Sequence, residues 1–323
     1  MRQVTQSRYG GPDVLEIREV AKPAPKANQV LIRVEAASIT LADCAFRKAD
    51  PFITRLFNGL LRPRNLVLGS DIGGVVEAVG REVTRFAIGD AIFGTVGSAL
   101  GGCSDYVCVA EDAAIVRRPE KLDAAQGAGL SYSYLTAMPF MRDEAKVKPG
   151  DRVLINGAAS SIGLVAVQLA RYFGAQVTAV CSGRNAELVR SVGADRVIDR
   201  HAEDFTKARD AYDVIFDVVG KSSFERCKAA LRPGGIYLTT VPNLTILWPM
   251  MTTRNAEKRA KLSLTGLRPM ADMRRDMEML VELVATDAVR AVTDRRYPLA
   301  QVAEAHAYVD TERKAGDVVL AFG

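Results

Sequence analysis

The hydrophobic pattern changes period along the chain. Residues 30–34 alternate as V-L-I-R-V, 72–79 are rich in β-branched side chains, and 91–93 and 106–109 are short apolar runs. Pro63, Gly69, Gly80, Gly89, Gly94, Gly101 and Gly102 stand at the joints, so this part predicts short strands in a partly open β-barrel. From about residue 123 strands alternate with helices. Strands are expected at 151–156, 176–181, 196–198, 213–216 and 235–240, and helices at 160–173, 185–192, 202–208 and 222–231. That rhythm predicts a doubly wound parallel sheet over 123–266. Beyond it Met277, Leu280, Val281 and Val284 recur at helical spacing, 298–309 reads as another helix, and 317–321 as a closing strand. The closing strand is expected to rejoin the first domain, so that 267–323 completes 1–122 and the middle domain is an insertion.

A chain of 323 residues, 48% hydrophobic and 25% charged, is ordinary for a soluble globular protein and long enough for two domains. A net charge of +5 is too mild for a basic footprint over the whole surface, so nucleic acid is not the expected partner. Five scattered cysteines (Cys44, Cys103, Cys108, Cys181, Cys227) point to a reducing compartment, and only His201 and His306 offer imidazole to a metal. The first ten residues lack the apolar core of a secretory signal, and the apolar stretch 244–251 is short and broken by Pro249. The expectation is a cytoplasmic protein with no membrane segment.

Candidate chemistry begins at 153–163, V-L-I-N-G-A-A-S-S-I-G, a strand running through small residues into a helix. Small residues let the backbone approach a pyrophosphate, and a helix N-terminus offers unpaired N–H groups and the positive end of its dipole. Against G-x-G-x-x-G the positions are Ala158, Ser160 and Gly163, so one glycine of three remains. The surrounding βαβ context favours a dinucleotide over an ordinary tight turn. The second strand ends Val180-Cys181-Ser182-Gly183-Arg184-Asn185, with no acid to bond a ribose 2′-hydroxyl. A hydroxyl followed by a guanidinium suits a 2′-phosphate, which makes NADPH the expected cofactor. A solvated first-turn side chain is the alternative reading of Arg184.

Further strings follow in order: L-G-S-D-I-G-G-V-V-E-A-V-G at 68–80, F-A-I-G-D-A-I-F-G at 86–94, V-K-P-G-D at 147–151, V-G-A-D-R-V-I-D at 192–199, D-V-I-F-D-V-V-G at 213–220 and L-R-P-G-G at 231–235. With Tyr297-Pro298-Leu299 and Ala303-Glu304-Ala305-His306, these strings span nearly the whole chain. In that order and spacing the chain resembles the medium-chain dehydrogenase/reductase superfamily, in its zinc-free quinone oxidoreductase (zeta-crystallin-like) branch. The resemblance implies an α/β architecture: a GroES-like partly open β-barrel with a Rossmann domain inserted into it and a cofactor cleft between the two. It also implies homodimers paired through the last Rossmann strand. Around the cofactor it places Thr136, Ala158, Ser160, Ser161, Ile162, Gly163, Val219, Thr240 and Val241, with Ser182, Arg184 and Arg200 toward the adenine end.

Where zinc-bearing relatives carry a ligand Cys and a G-H-E string, this chain has Thr40 and Gly69-Ser70-Asp71. The lobe for a structural metal is missing as well. A neutral hydroxyl is a poor Zn²⁺ ligand beside thiolate or imidazole, so no metal is expected. The branch's own pattern also departs here: its Asn is Thr40, a Tyr falls on Ala45, the turn glycines are Ser160-Ser161, and the Tyr after V-I-D is Arg200.

Without zinc, reduction is expected to run by direct hydride transfer from the nicotinamide C4 to a small electron acceptor, a quinone or an α,β-unsaturated carbonyl. Thr40 is the candidate donor to the developing oxyanion, or else a strand-end Thr bonded to backbone. Tyr132 and Tyr134 stand at the domain crossover, where they pack or face the cleft, and Ala45 marks the substrate end. Asp43 and His306 read as structural, and Cys181 as buried and inert. The apolar run Leu244, Ile246, Leu247, Trp248, Met250 and Met251 reads as a loop that caps the cleft. The bases that follow (Arg254, Lys258, Arg259, Lys261, Arg268, Arg274, Arg275) read as a solvated helical face, or as an anion site for acyl-CoA or RNA. Enoyl-thioester reduction and nucleotide binding without catalysis stand as alternative functions.

Overall fold

The structure is a computed structural model that describes residues 1–50, 52, 54–64, 67–97, 100–242 and 244–323. The chain divides into two compact units: Met1–Tyr132 with Pro269–Ala285 and Ala291–Gly323, and Ser133–Arg268 with Thr286–Arg290. The first change of unit falls inside the helix Ala124–Pro139.

In the first unit β1 (Arg2–Gln6) and β2 (Leu15–Glu19) form an antiparallel pair. The long strand β3 (Gln29–Ile39) organises a larger sheet with β4 (Asp71–Val79), β5 (Ala91–Thr95), β6 (Tyr106–Ala110) and β7 (Ile115–Arg117). One edge of β3 pairs antiparallel with β4, which continues through β5 to β7. Its other edge is shared: β6 pairs with residues 29–33, and the strand Asp317–Ala321 pairs with residues 36–39. Asp317–Ala321 also pairs parallel with Thr293–Pro298. Val4, Val30, Ile32, Ile39, Ile72, Ile92, Val318 and Leu320 fill the core between these strands.

The second unit is a six-stranded sheet of β8 (Arg152–Asn156), β9 (Gln176–Cys181), β10 (Arg196–Asp199), β11 (Tyr212–Asp217), β12 (Leu231–Thr239) and β13 (Arg259–Leu262). All pairings are parallel, in the order β10-β9-β8-β11-β12-β13. Consecutive Val153, Leu154 and Ile155 are fully buried, so both faces of β8 are covered and the strand reads as a continuous apolar run. The strand order reverses between β8 and β11, and the carboxyl ends of strands at such a reversal are where open α/β sheets bind ligands.

The later segments depart from expectation. Leu244–Thr252 is a helix rather than a loop. The basic stretch expected as a helical face supplies β13, and the next long helix begins only at Met270. In β13 Ala260 is buried while Arg259 and Lys261 are exposed, a period of two that four residues among many bases do not reveal. The helix expected at 202–208 is one 3₁₀ turn, Phe205–Lys207. That expected at 222–231 shortens to Phe224–Cys227, because Leu231 already opens β12. Among the described residues no helix is long and apolar enough to cross a membrane.

Candidate functional site

At the carboxyl end of β8 the chain turns through Gly157, Ala158, Ala159 and Ser160 into the helix Ser161–Tyr172. Gly157 has φ +84°, a conformation side chains rarely adopt, and a Cβ there would lie 2.5 Å from Val219 Cγ1. The Gly157 and Ala158 N–H groups donate to the Val180 carbonyl at 3.1 and 3.0 Å, which pins the turn to β9. Ser160 caps the helix: its Oγ accepts from Gly163 N at 3.1 Å and donates to the Gly157 carbonyl at 2.8 Å. A Cβ on Gly163 would run into that same Gly157 carbonyl oxygen. Turn and helix therefore touch backbone to backbone, with Ala158, Ser161, Ile162 and Gly163 buried at the helix start. The sequence comparison with G-x-G-x-x-G begins at Ala158 and so passes over Gly157, which takes the tight-turn role one position earlier.

Neighbouring strand ends close around this turn. Val219 lies against Gly157, Thr240 Oγ1 donates to the Val218 carbonyl at 2.8 Å, and Val241 N donates to Thr239 Oγ1 at 3.2 Å. Behind them the buried Asp217 carboxylate accepts from Asn156 Nδ2 (2.9 Å), Ser222 N (2.8 Å) and the Tyr237 hydroxyl (3.0 Å), tying the ends of β8 and β11 together. Thr136 is partly buried in the helix Ala124–Pro139.

At the end of β9 Ser182 is half-buried and Arg184 exposed, within the 3₁₀ turn Gly183–Asn185. Arg184 has no ion-pair partner among the described residues. Arg200, also exposed, is held beside them by its N–H on the Cys181 carbonyl at 2.9 Å. The β9 terminus carries no acid of its own, but the fold brings one from β10. Asp199 pairs with Cys181, and a Cβ on Gly183 would lie 2.5 Å from Asp199 Oδ2. That carboxylate was invisible to a reading confined to one strand.

The first unit holds a buried polar cluster. Thr40 is the N-cap of the helix Leu41–Lys48 in a full capping box: Asp43 N donates to Thr40 Oγ1 at 3.1 Å, and Asp43 Oδ2 accepts from Thr40 N at 2.8 Å. Thr40 Oγ1 also donates to Asp43 Oδ2 at 2.6 Å, so its proton is committed to the carboxylate. Burial pushes the Asp43 carboxyl up, against hydrogen bonds from Thr40 and Gly69 that pull it down. Asp71, 2% exposed, accepts from the Ser70 hydroxyl and is pushed up to about 7 by burial, with the Asp43 charge adding to the shift. The Tyr132 hydroxyl is hydrogen-bonded to Thr40, and burial with the two carboxyls raises it above the usual phenol range.

Each of the other expected residues has its own surroundings. Tyr134 is fully buried, packed as core rather than lining an accessible surface. Ala45 is partly buried on the Leu41–Lys48 helix. Leu247 and Trp248 are 44% and 73% exposed on the helix Leu244–Thr252. His306 is fully buried, its Nδ1 3.5 Å from Cys44 Sγ; burial first and the Arg47 charge second push it down to about 3. The buried Arg47 guanidinium pairs with Asp310 at 2.6 Å. Cys181 is buried at the end of β9. Among the described residues no group of three or more His, Cys, Asp or Glu is arranged to hold a metal ion.

Residues 26–120 match the alcohol dehydrogenase GroES-like domain family and residues 192–320 the zinc-binding dehydrogenase family. The chain is 30% identical to a quinone oxidoreductase of Pseudomonas aeruginosa, with 99% of each chain covered. It is 29% identical to the chloroplastic NADPH-dependent alkenal/one oxidoreductase of Arabidopsis thaliana, over 99% of this chain and 79% of the relative. The structure of the quinone oxidoreductase from Coxiella burnetii superposes with a TM-score of 0.86, at 29% identity and 99% coverage of both chains.

Proposed function

The chain belongs to the quinone oxidoreductase homologues of the medium-chain dehydrogenase/reductase superfamily, and from that premise we propose that this oxidoreductase is an NADPH-dependent, zinc-independent reductase of quinones or α,β-unsaturated carbonyls. The contact between Gly157 and Gly163 carries the reading. It leaves no room for a side chain where a pyrophosphate meets the backbone, and it stands at the strand-order reversal beside a capped helix N-terminus. In this reading Ala158, Ser160, Ser161, Ile162 and Gly163 hold the pyrophosphate. Ser182, Arg184 and Arg200 take the 2′-phosphate, with two guanidinium groups outweighing the Asp199 carboxylate. Val219, Thr240, Val241 and Thr136 border the nicotinamide, which supplies hydride when bound.

Zinc independence is supported by the donor set. The Thr40 hydroxyl is bonded to Asp43 and the Ser70 hydroxyl to Asp71, and neither is a thiolate or an imidazole. A delocalised acceptor suits such a site, because its reduced anion needs no Lewis acid. The names of the relatives, quinone and alkenal/one oxidoreductases, favour the same acceptors. In the basic stretch Lys258 pairs with Asp210, Lys261 with Glu144 and Arg275 with Asp272, which lowers the positive charge an acyl-CoA would meet and favours the quinone and enone reading. A homodimer joined at the open edge of β13 belongs to the same proposal, as does a cytoplasmic location.

The test follows NADPH absorbance with an ortho-quinone and, in parallel, a simple enone. Oxidation is expected with NADPH in preference to NADH, and Arg184→Glu should weaken NADPH binding by on the order of tenfold or more while sparing NADH. Equal losses for both nucleotides would remove the 2′-phosphate assignment.

A further inference from the structure

Resting on the reductase reading, we propose that Asp217 is a positioning residue for the cofactor. Its buried carboxylate locks the ends of β8, β11 and β12 in the register that shapes the pyrophosphate and nicotinamide end of the site, and it has no hold on the adenine end.

The middle of the sheet closes on one row of three residues. Asp217 pairs with Asn156 on β8 and with Thr239 on β12, the last pairing on either side. Past that row each strand runs straight into residues of the site: Gly157 after β8, Val218 and Val219 after β11, Thr240 and Val241 after β12. Asp217 is fully buried. Its Oδ1 accepts from Asn156 Nδ2 at 2.9 Å, which fixes the residue before Gly157. Its Oδ2 accepts from Ser222 N at 2.8 Å, which folds the chain after β11 back on itself, and from the Tyr237 hydroxyl on β12 at 3.0 Å. Burial first, and then the Asp217 charge, hold that hydroxyl above the usual phenol range, so it keeps its proton and stays a donor. Backbone groups carry the tie outward. Val218 N donates to the Asn156 carbonyl at 3.0 Å, and Thr240 Oγ1 to the Val218 carbonyl at 2.8 Å. With Val219 packed against Gly157, a shift at the end of β11 is passed directly to the turn.

Two features set this apart from an ordinary core contact. The three donors are an amide, a backbone N–H and a phenol, all neutral. A buried carboxylate costs desolvation that apolar side chains of the same volume would avoid, so what it supplies here is fixed direction. The second feature is where the donors lie. They belong to β8, to β12 and to the chain after β11, and none belongs to β9 or β10, whose ends carry Ser182, Arg184 and Arg200. The tie therefore acts on one half of the dinucleotide. It touches no reacting atom and moves no proton; it acts through Gly157 and the strand ends.

The test titrates the full-length protein calorimetrically with NADPH and with 2′-AMP, which carries the adenine and the 2′-phosphate but neither pyrophosphate nor nicotinamide. Asp217→Ala is expected to weaken NADPH on the order of tenfold or more, while 2′-AMP binding holds steady. Asp217→Asn should recover most of the loss, because the Asn156 amide can turn its oxygen toward the new N–H group. Tyr237→Phe keeps its ring in the core and removes one donor, so it should show a smaller loss of the same selectivity and carries the test if the alanine variant does not fold. A merely structural role would lower both affinities in step through loss of folded protein. NADPH affinity unchanged by these substitutions, or falling in proportion with that for 2′-AMP, overturns the proposal. A parent that binds no NADPH brings down the reductase reading and the proposal together. A parent that binds NADPH but reduces no acceptor brings down the reading alone, and the selective loss still decides the role of Asp217.

Discussion

Asp71 lies between the hydroxyls of Ser70 and Thr95 with Asp43 and Asp317 nearby, and burial dominates its behaviour. Its ordinary value is 3.8 and its folded value about 7, so over that window the folded chain holds a proton that the unfolded chain has released. Stability therefore falls as pH rises through the window, by on the order of 4 kcal/mol from this one group. Asp71→Asn keeps an acceptor for Ser70 and cannot ionise. His306, pushed down to about 3, acts in the opposite sense over much of the same range, so the Asp71 contribution is read as a difference. As pH rises through the window, Asp71→Asn should gain stability relative to the parent in urea midpoints, the His306 contribution being common to both. A difference that does not change with pH would assign the titration elsewhere. Legibility varied residue by residue. Gly163 stood out in the string because nothing else at that position lets helix and turn meet. Asp199 did not, because its approach to Gly183 comes from a different strand.

The helix Leu41–Lys48 begins at a hydroxyl that two neighbours use at once. Thr40→Ala removes the cap and should cost about 1 kcal/mol of stability, whereas Thr40→Ser should retain most of it, both read from urea midpoints. A loss under a few tenths of a kcal/mol in the alanine variant would show that Asp43 caps the helix unaided. The cap was present in the sequence as T-L-A-D, a Ser/Thr followed three residues later by an acid, but the surrounding strands drew it into a β reading. The parallel strands were legible for the opposite reason. Runs such as V-L-I at 153–155 are apolar on successive positions, as only a strand covered on both faces requires. The strand β13 and the Leu244–Thr252 helix were not legible. The first is too short to display a period, and the second carries an internal Pro249 that reads as a breaker.

At the scale of the molecule β13 ends its sheet, so one row of its backbone groups is left without a strand partner among the described residues. The helix beside it exposes Trp248 and Met251 at 73% and 74%. A second copy paired along β13 would satisfy the first and cover the second. Light scattering should therefore give twice 34.9 kDa for the parent and 34.9 kDa for Trp248→Asp combined with Lys261→Pro. A parent that scatters as a single chain would discard the dimer. The shared edge of β3 has a different consequence, in time rather than space. Residues 36–39 emerge early in synthesis, yet their partner is the strand Asp317–Ala321, which emerges almost 280 residues later. The Ser133–Arg268 segment carries all six of its parallel strands and is free to fold while the first unit still waits. On the ribosome the C-terminal half of β3, though made early, is thus the last to be closed, and its open edge must be kept from other chains until then.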